Sequence, residues 1–248
     1  MKYNRKVNDF LKMENGRVKI ENTFKKQIYN ATPQSYKTHM GIGPYFIPIF
    51  NIMCWKRLEL ALELSKKYFN HQKLRICDFG CGLGVLVNRL SNVYPESQIC
   101  GIDIYSDELL KVAANISDQV SQDKNYSFSQ NNIENPSSIE KFDLIFCLDV
   151  LEHVNNVKIA LNNLKSFLNE ESILIIAVSV ENWYLKLLME IYTLNGRFGT
   201  NDPHWHGDIK DYGHFEKMLK ANYNILESFY VPNRFLAYDK IFVCKNRG

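Results

Sequence analysis

The stretch from Leu74 to Gly84, Leu-Arg-Ile-Cys-Asp-Phe-Gly-Cys-Gly-Leu-Gly, constrains this chain more than any other part of it. A short apolar run (Leu74, Ile76, Cys77) ends in an acid, Asp78. Three glycines follow at alternate positions, Gly80, Gly82 and Gly84. An apolar run at helical spacing comes next, through Val85, Leu86, Val87 and Leu90. This order predicts a strand near 74–78, a tight glycine turn and a helix near 83–93. Glycine has no Cβ and tolerates positive φ, so such a turn lets a ligand approach the backbone closely. The helix N-terminus behind it carries N–H groups without helical partners.

The glycine spacing narrows the ligand. A dinucleotide-binding turn needs Gly-x-Gly-x-x-Gly, whose third glycine lets helix and strand pack closely. Counted from Gly80, that glycine would fall on Val85. A second strand, Gln98 to Asp103, again ends in an acid. A carboxylate at that position has two oxygens and no proton to give, which suits the two hydroxyls of a ribose. Ser106 is placed to cap a helix over 107–119, with Glu108 in its first turn. A third strand at Tyr126–Ser129 leads to Asn131 and Asn132. The carbonyl of either amide can meet a base, or can simply close a loop. Phe142–Asp149 is apolar enough for a parallel strand covered on both faces, and continues as Val150-Leu151-Glu152-His153-Val154.

Asp78-Phe-Gly-Cys-Gly-Leu-Gly resembles motif I of class I S-adenosylmethionine-dependent methyltransferases. Asp149-Val-Leu-Glu-His-Val resembles the string after the fourth strand in the broad group that includes ubiquinone-biosynthesis O-methyltransferases. The resemblance is specific over about 74–180 and architectural elsewhere. It implies an α/β, Rossmann-like sheet of seven strands, mostly parallel with the last strand antiparallel, and helices on both faces. It implies S-adenosylmethionine as methyl donor and S-adenosylhomocysteine as product. The cofactor-binding residues it implies are Asp78, Gly80, Cys81, Gly82, Gly84, Asp103, Ile104, Asn132, Ile133 and Leu148. Family members usually carry an acid where this chain has Asn132. In the ubiquinone-type enzymes, acids and a histidine of the post-strand string are implicated in divalent metal binding. The matching set here is Asp149, Glu152 and His153. This chain has Asp149 where that subgroup has glutamate, and relatives that use no metal share the string, so no metal ligand is assigned.

Methyl transfer from a sulfonium is an in-line displacement, for which a protein mainly supplies proximity, alignment and a dry site. A hydroxyl nucleophile must also lose its proton, and histidine suits that task near neutral pH. His153, just past the fourth strand, and His206, in the loop Asn195–Asp208, are the catalytic candidates; His204 and His214 lie nearby in sequence. The plain alternatives are a histidine that only packs over the cofactor and a surface loop. No Asn-Pro-Pro-Tyr or Asp-Pro-Pro-Tyr follows the fourth strand, which argues against amino methylation of adenine. The resulting expectation is O-methylation of a hydroxyl on a small aromatic, lipid-like or glycan acceptor. N- or C-methylation, aminopropyl transfer on the same fold, and a catalytically silent S-adenosylmethionine-binding module are the alternatives.

At 248 residues the chain is long enough for one α/β domain and short for two. Its expected parts are an N-terminal helical cap (1–70), the cofactor-binding core (71–180), and an acceptor-side insertion with a final hairpin (181–248). The cap includes a helix over 55–69, and the hairpin has strands near 224–231 and 235–244 joined at Pro232-Asn233. Segments 1–54 and 195–214 lie outside the repeating βα pattern and are expected to flank the acceptor. The net charge of +3, without basic runs, gives no reason to expect nucleic acid. None of the six cysteines forms a Cys-x-x-Cys pair, which fits a reduced, cytoplasmic protein. The apolar run Gly41–Cys54 is too short to span a bilayer and contains Pro44 and Pro48. Peripheral lipid contact stays open, and oligomeric state is not set by these features.

Overall fold

The computed structural model describes residues 11–14, 17–20, 48–69, 73–104, 107–120, 125–180 and 211–247. Strands β1 (Leu11–Glu14) and β2 (Arg17–Ile20) form a small antiparallel hairpin. Helix α1 (Pro48–Tyr68) leads to the main alternation: β3 (Arg75–Phe79), α2 (Val85–Val93), β4 (Gln98–Asp103), α3 (Asp107–Val120), β5 (Tyr126–Gln130) and β6 (Phe142–Leu148). A 3₁₀ turn (Leu151–His153), α4 (Val157–Ser166) and β7 (Leu168–Ser179) follow. Helix α5 (Tyr212–Asn222), β8 (Tyr223–Val231) and β9 (Asp239–Asn246) complete the described chain.

The seven strands of the main sheet lie in the order β5-β4-β3-β6-β7-β9-β8. Strands β3 to β7 pair in parallel, and β9 inserts antiparallel between β7 and β8. This is the sheet implied by the sequence resemblance. The strand order reverses between β3 and β6, because the chain builds outward from β3 through β4 to β5 and then returns to β3's other side. Open α/β sheets bind ligands in the crevice at such a point, outside the carboxyl ends of the strands.

Period-two side-chain alternation sorts the core into two layers. Ile76, Leu144, Phe146, Ile175 and Val243 face α1, α2 and α3 through Ala61, Leu62, Leu86, Leu90 and Leu110. Cys77, Ile145, Cys147, Ile176 and Phe242 face α4 and α5 through Ala160, Leu161, Leu164, Phe215 and Leu219. Both layers leave the central strands buried on each side, hence their nearly continuous apolar sequences. On the α4 side the phenol of Tyr223 donates to the Leu161 carbonyl at 2.5 Å, so this buried hydroxyl is satisfied.

The boundaries differ from sequence expectation in three places. Helix α1 starts at Pro48 rather than near Trp55, because a proline is tolerated at the first helical position, where no N–H partner is needed. Strand β7 begins at Leu168, ahead of its apolar run from Ile173, with a register irregularity against β6 between Phe142 and Leu144. The last hairpin turns over residues 232–238 rather than at Pro232-Asn233 alone. There Asn233 Oδ1 accepts from the N–H groups of Phe235 and Leu236, each at 3.0 Å, and Tyr238 N returns the chain to the Val231 carbonyl at 2.9 Å. Ser106, the expected cap of α3, lies outside the described residues.

Candidate active site

The glycine turn sits at the carboxyl end of β3, inside the crevice. Gly80, Gly82 and Gly84 all have positive φ, at 81°, 50° and 73°. Two of them also make room. A Cβ on Gly80 would fall well inside contact distance of Val150 Cγ2, and one on Gly84 would come within 2.8 Å of the Phe128 ring. The turn thus needs glycine for its dihedrals and for the approach of β5 and of the segment after β6.

Most of the turn's amides are engaged within the protein. Gly80 N and Cys81 N both donate to the Ile102 carbonyl, at 2.7 and 3.1 Å, and Gly84 N donates to the Cys81 carbonyl at 2.8 Å. Gly82 N donates to Asp103 Oδ2 at 2.8 Å. A phosphate cradle works by aiming such N–H groups at the ligand. Here those N–H groups are used within the protein. Asp78 and Asp103 are both buried beside it. Burial first, and the nearby charge of Asp103 second, push the Asp78 carboxyl up to about 8. Two acids so placed favour a ligand that brings positive charge.

The turn also holds Cys81, and the other residues assigned to the cofactor from sequence lie on neighbouring elements. Cys81 is buried, Leu148 ends β6, and Ile104, just past Asp103, is exposed. Asn131 N donates to the Asp103 carbonyl at 3.0 Å, which brings the loop after β5 against the same strand end. The two asparagines separate there. Asn131 is buried, its Oδ1 accepting from Asn132 N and Ser137 N, both at 2.9 Å, and its Nδ2 donating to the Ser138 carbonyl. It is a loop brace. Asn132 is half-buried, and its Oδ1 accepts only from Glu134 N, at 2.8 Å, among these contacts; an amide oxygen has a second lone pair. Ile133 is buried in the core on the α4 side.

The far wall of the crevice is built after β6. Asp149 has φ 56°, unusual for a residue other than glycine. Its Oδ2 pairs with the buried guanidinium of Arg57, which also donates to Asp239 Oδ2 at 2.8 Å. Ser179 Oγ donates to Asp239 Oδ1 at 3.3 Å, and Ser179 N donates to Glu152 Oε1 at 3.3 Å. Burial pushes Glu152 up to about 8 and Asp239 up to about 7, each also raised by Asp149's charge, with Arg57 opposing the rise of Asp239. His153 is exposed on the 3₁₀ turn, its backbone N–H bonded to Val150 O at 3.0 Å. Among the described residues no group of three or more His, Cys, Asp or Glu is arranged to hold a metal ion. Asp149 and Glu152 turn to Arg57 and Ser179 instead. His204 and His206 lie outside the described residues.

Arg57 and Asp239 were not singled out by the sequence reading, although signals for both exist. Arg57 stands four residues before Ala61 and seven before Leu64, on the buried stripe of α1. Asp239 is the first residue of β9, two before its apolar run from Ile241.

A methyltransferase domain family model matches residues 70–226. The chain belongs to that family. The family match carries a methyltransferase domain. A malonyl-[acyl-carrier protein] O-methyltransferase of Ilyobacter polytropus is 28% identical over 131 residues, 53% of this chain and 47% of that protein. A ubiquinone biosynthesis O-methyltransferase of Glaesserella parasuis is 32% identical over 134 residues, 50% of this chain and 55% of that one. The chain thus spans about half the length of the curated relatives it matches. The magnesium protoporphyrin IX methyltransferase of Synechocystis, solved with bound S-adenosylhomocysteine, superposes with a TM-score of 0.63 at 19% identity, covering 90% of this chain and 100% of that one. That likeness shows the shared fold.

Proposed function

We propose that this methyltransferase acts on a small molecule, and that it O-methylates a hydroxyl of an aromatic, lipid-like or glycan acceptor. The observation that carries the donor side is the glycine turn itself. Its amides are held by Ile102, Cys81 and Asp103, so it suits a cationic nucleoside sulfonium better than a pyrophosphate. The donor supplies an activated methyl group on sulfur. Asp103 offers a carboxylate to its ribose, and Asp78, which holds its proton near neutral pH in the free protein, gives it up to face the donor's positive end. Ile104, exposed, and Asn132, with a lone pair to spare, are the residues assigned to its adenine in this reading. Glycines at 80, 82 and 84 let the donor run along the backbone.

The acceptor side rests on the carboxyl edge after β6, with His153, exposed on the 3₁₀ turn, as the candidate to take a proton. O-methylation draws support from the O-methyltransferases among the relatives. All six cysteines are free thiols, which favours action in a reducing, cytoplasmic compartment. No described helix is long and apolar enough to cross a membrane. Labelled S-adenosylmethionine incubated with phenolic, hydroxylated-lipid and glycan panels tests the reading, with label expected on an acceptor oxygen. Label on nitrogen or carbon would redirect the reading to N- or C-methylation. Donor binding by calorimetry without transfer to any acceptor would favour a silent binding module.

A further inference from the structure

The wall opposite the glycine turn carries a charge arrangement that donor binding does not explain. Asp149 follows the last residue of β6 at the carboxyl edge. β3 and β6 run side by side, with Phe79 opposite Cys147. Beyond the last paired residues Gly80 lies against Val150, whose Cγ2 fills the space of the missing Cβ. Asp149 is therefore one residue from the atom that touches the glycine turn. Its side chain is held from behind: Oδ2 pairs with Arg57 of α1, and Arg57 is fixed in turn by Asp239 at the start of β9. Three elements distant in sequence thus fix one carboxylate at the crevice.

That carboxylate is not used up. Asp149 Oδ1 has no hydrogen-bond partner, although its side chain is only 30% exposed. Behind it, Glu152 is 0% exposed, and its Oε2 is unpartnered as well. A buried acceptor left unpaired is costly, so the orphaned oxygen of Asp149, beside the crevice, points to a donor that arrives with a ligand. Asp149's backbone, at φ 56°, is a conformation that Asp and Asn tolerate better than most residues.

We propose that Asp149 is the acceptor-binding carboxylate, which receives a hydrogen bond from the O–H or N–H of the nucleophile, and that Arg57 is the positioning residue that holds it. This rests on the methyl-transfer reading and narrows its acceptor to a group with a proton on the attacking atom. A carboxylate acceptor would bring negative charge against Asp149 and no proton to share.

The test needs no knowledge of the acceptor. Sinefungin carries a protonated primary amine where the transferable methyl would stand, whereas S-adenosylhomocysteine has nothing there. Calorimetry compares the two ligands on wild type, Asp149→Asn and Arg57→Lys. Wild type should prefer sinefungin by about tenfold or more, the scale of one hydrogen bond between charged partners. Asp149→Asn is isosteric and suited to the same backbone conformation. It should erase that preference while leaving affinity for S-adenosylhomocysteine within a few-fold. Arg57→Lys should fall between the two, because it keeps the charge but loses the planar fork that reaches both acids. A wild type that binds both ligands equally, or a preference untouched by Asp149→Asn, overturns the assignment. Failure of the wild type to bind either ligand would overturn the donor reading, and this inference with it.

Discussion

Asp103 Oδ2 accepts a hydrogen bond from the backbone N–H of Gly82 at 2.8 Å. The acid that ends β4 therefore does more than wait for a ribose. It fixes the middle of the glycine turn that follows β3, so the two halves of the proposed donor site are built as one unit. Asn131 N, bonded to the Asp103 carbonyl at 3.0 Å, adds the loop after β5 to the same anchor.

Replacing Asp103 should therefore weaken the donor site twice over. Asp103→Ala removes the anchor of Gly82 and an acceptor for the ribose. Each hydrogen bond to a charged group is worth about 1.5–3 kcal/mol. Affinity for S-adenosylhomocysteine should fall by at least about tenfold by titration calorimetry. Asp103→Asn keeps an acceptor oxygen and should lose less. Unchanged affinity in Asp103→Ala would place the ribose elsewhere.

Gly80 and Val150 form a steric pair. Gly80→Ala puts a Cβ into Val150 and adds the cost of a positive φ, about 1–2 kcal/mol for a residue with a side chain. The variant should be destabilised in urea by about 2–4 kcal/mol, within the range of overpacking plus backbone strain. Adding Val150→Ala should restore the steric part and leave the dihedral part. If the double variant is no more stable than Gly80→Ala alone, the clash does not set the cost.

Much of this was legible because the informative residues sit in short, local patterns. Asp78 to Gly84 is a strand end, a turn and a helix start within one stretch of chain, and its chemistry needs no distant partner to be read. The buried strands announced themselves by apolar runs. What stayed hidden depends on long-range closure. Arg57 meets Asp239 across 182 residues of chain, and the local pattern that buries each of them says nothing about its partner. The division of labour between Asn131 and Asn132 was equally hidden. Adjacent amides of one type look alike until the loop shows which carbonyl is saturated.

That division gives a paired prediction. Asn131→Ala leaves the N–H groups of Asn132 and Ser137 without their shared acceptor. It should cost stability, by about 1–3 kcal/mol in urea, and affect donor affinity only through that loss. Asn132→Ala removes only the local bond to Glu134 N. Stability should change by about 1 kcal/mol or less, with a several-fold loss of affinity for S-adenosylhomocysteine but not for homocysteine. The reverse pattern would make Asn131 the base-facing residue.

The raised carboxyls set a pH dependence. Asp78 and Glu152 are pushed up to about 8 and Asp239 up to about 7, in each case by burial first. In the unfolded chain such groups titrate near pH 4, roughly. Between those limits the folded protein holds protons that the unfolded chain has released, so unfolding free energy falls as pH rises. The stability these groups contribute is fully present below about pH 4 and is lost as pH climbs through 7 to 8. Urea denaturation from pH 5 to 9 should show this decline. Asp78→Asn should flatten it, by up to about 1.4 kcal/mol per pH unit for one group. The same proton should appear in binding. A donor carrying ammonium and sulfonium charge lowers the affinity of Asp78 for its proton, so S-adenosylmethionine should release a proton on binding at neutral pH. Calorimetry in buffers of different ionisation enthalpy reads that release directly. Heats that do not depend on the buffer, or an equal release in Asp78→Asn, would show that the proton at this edge of the sheet belongs to another group.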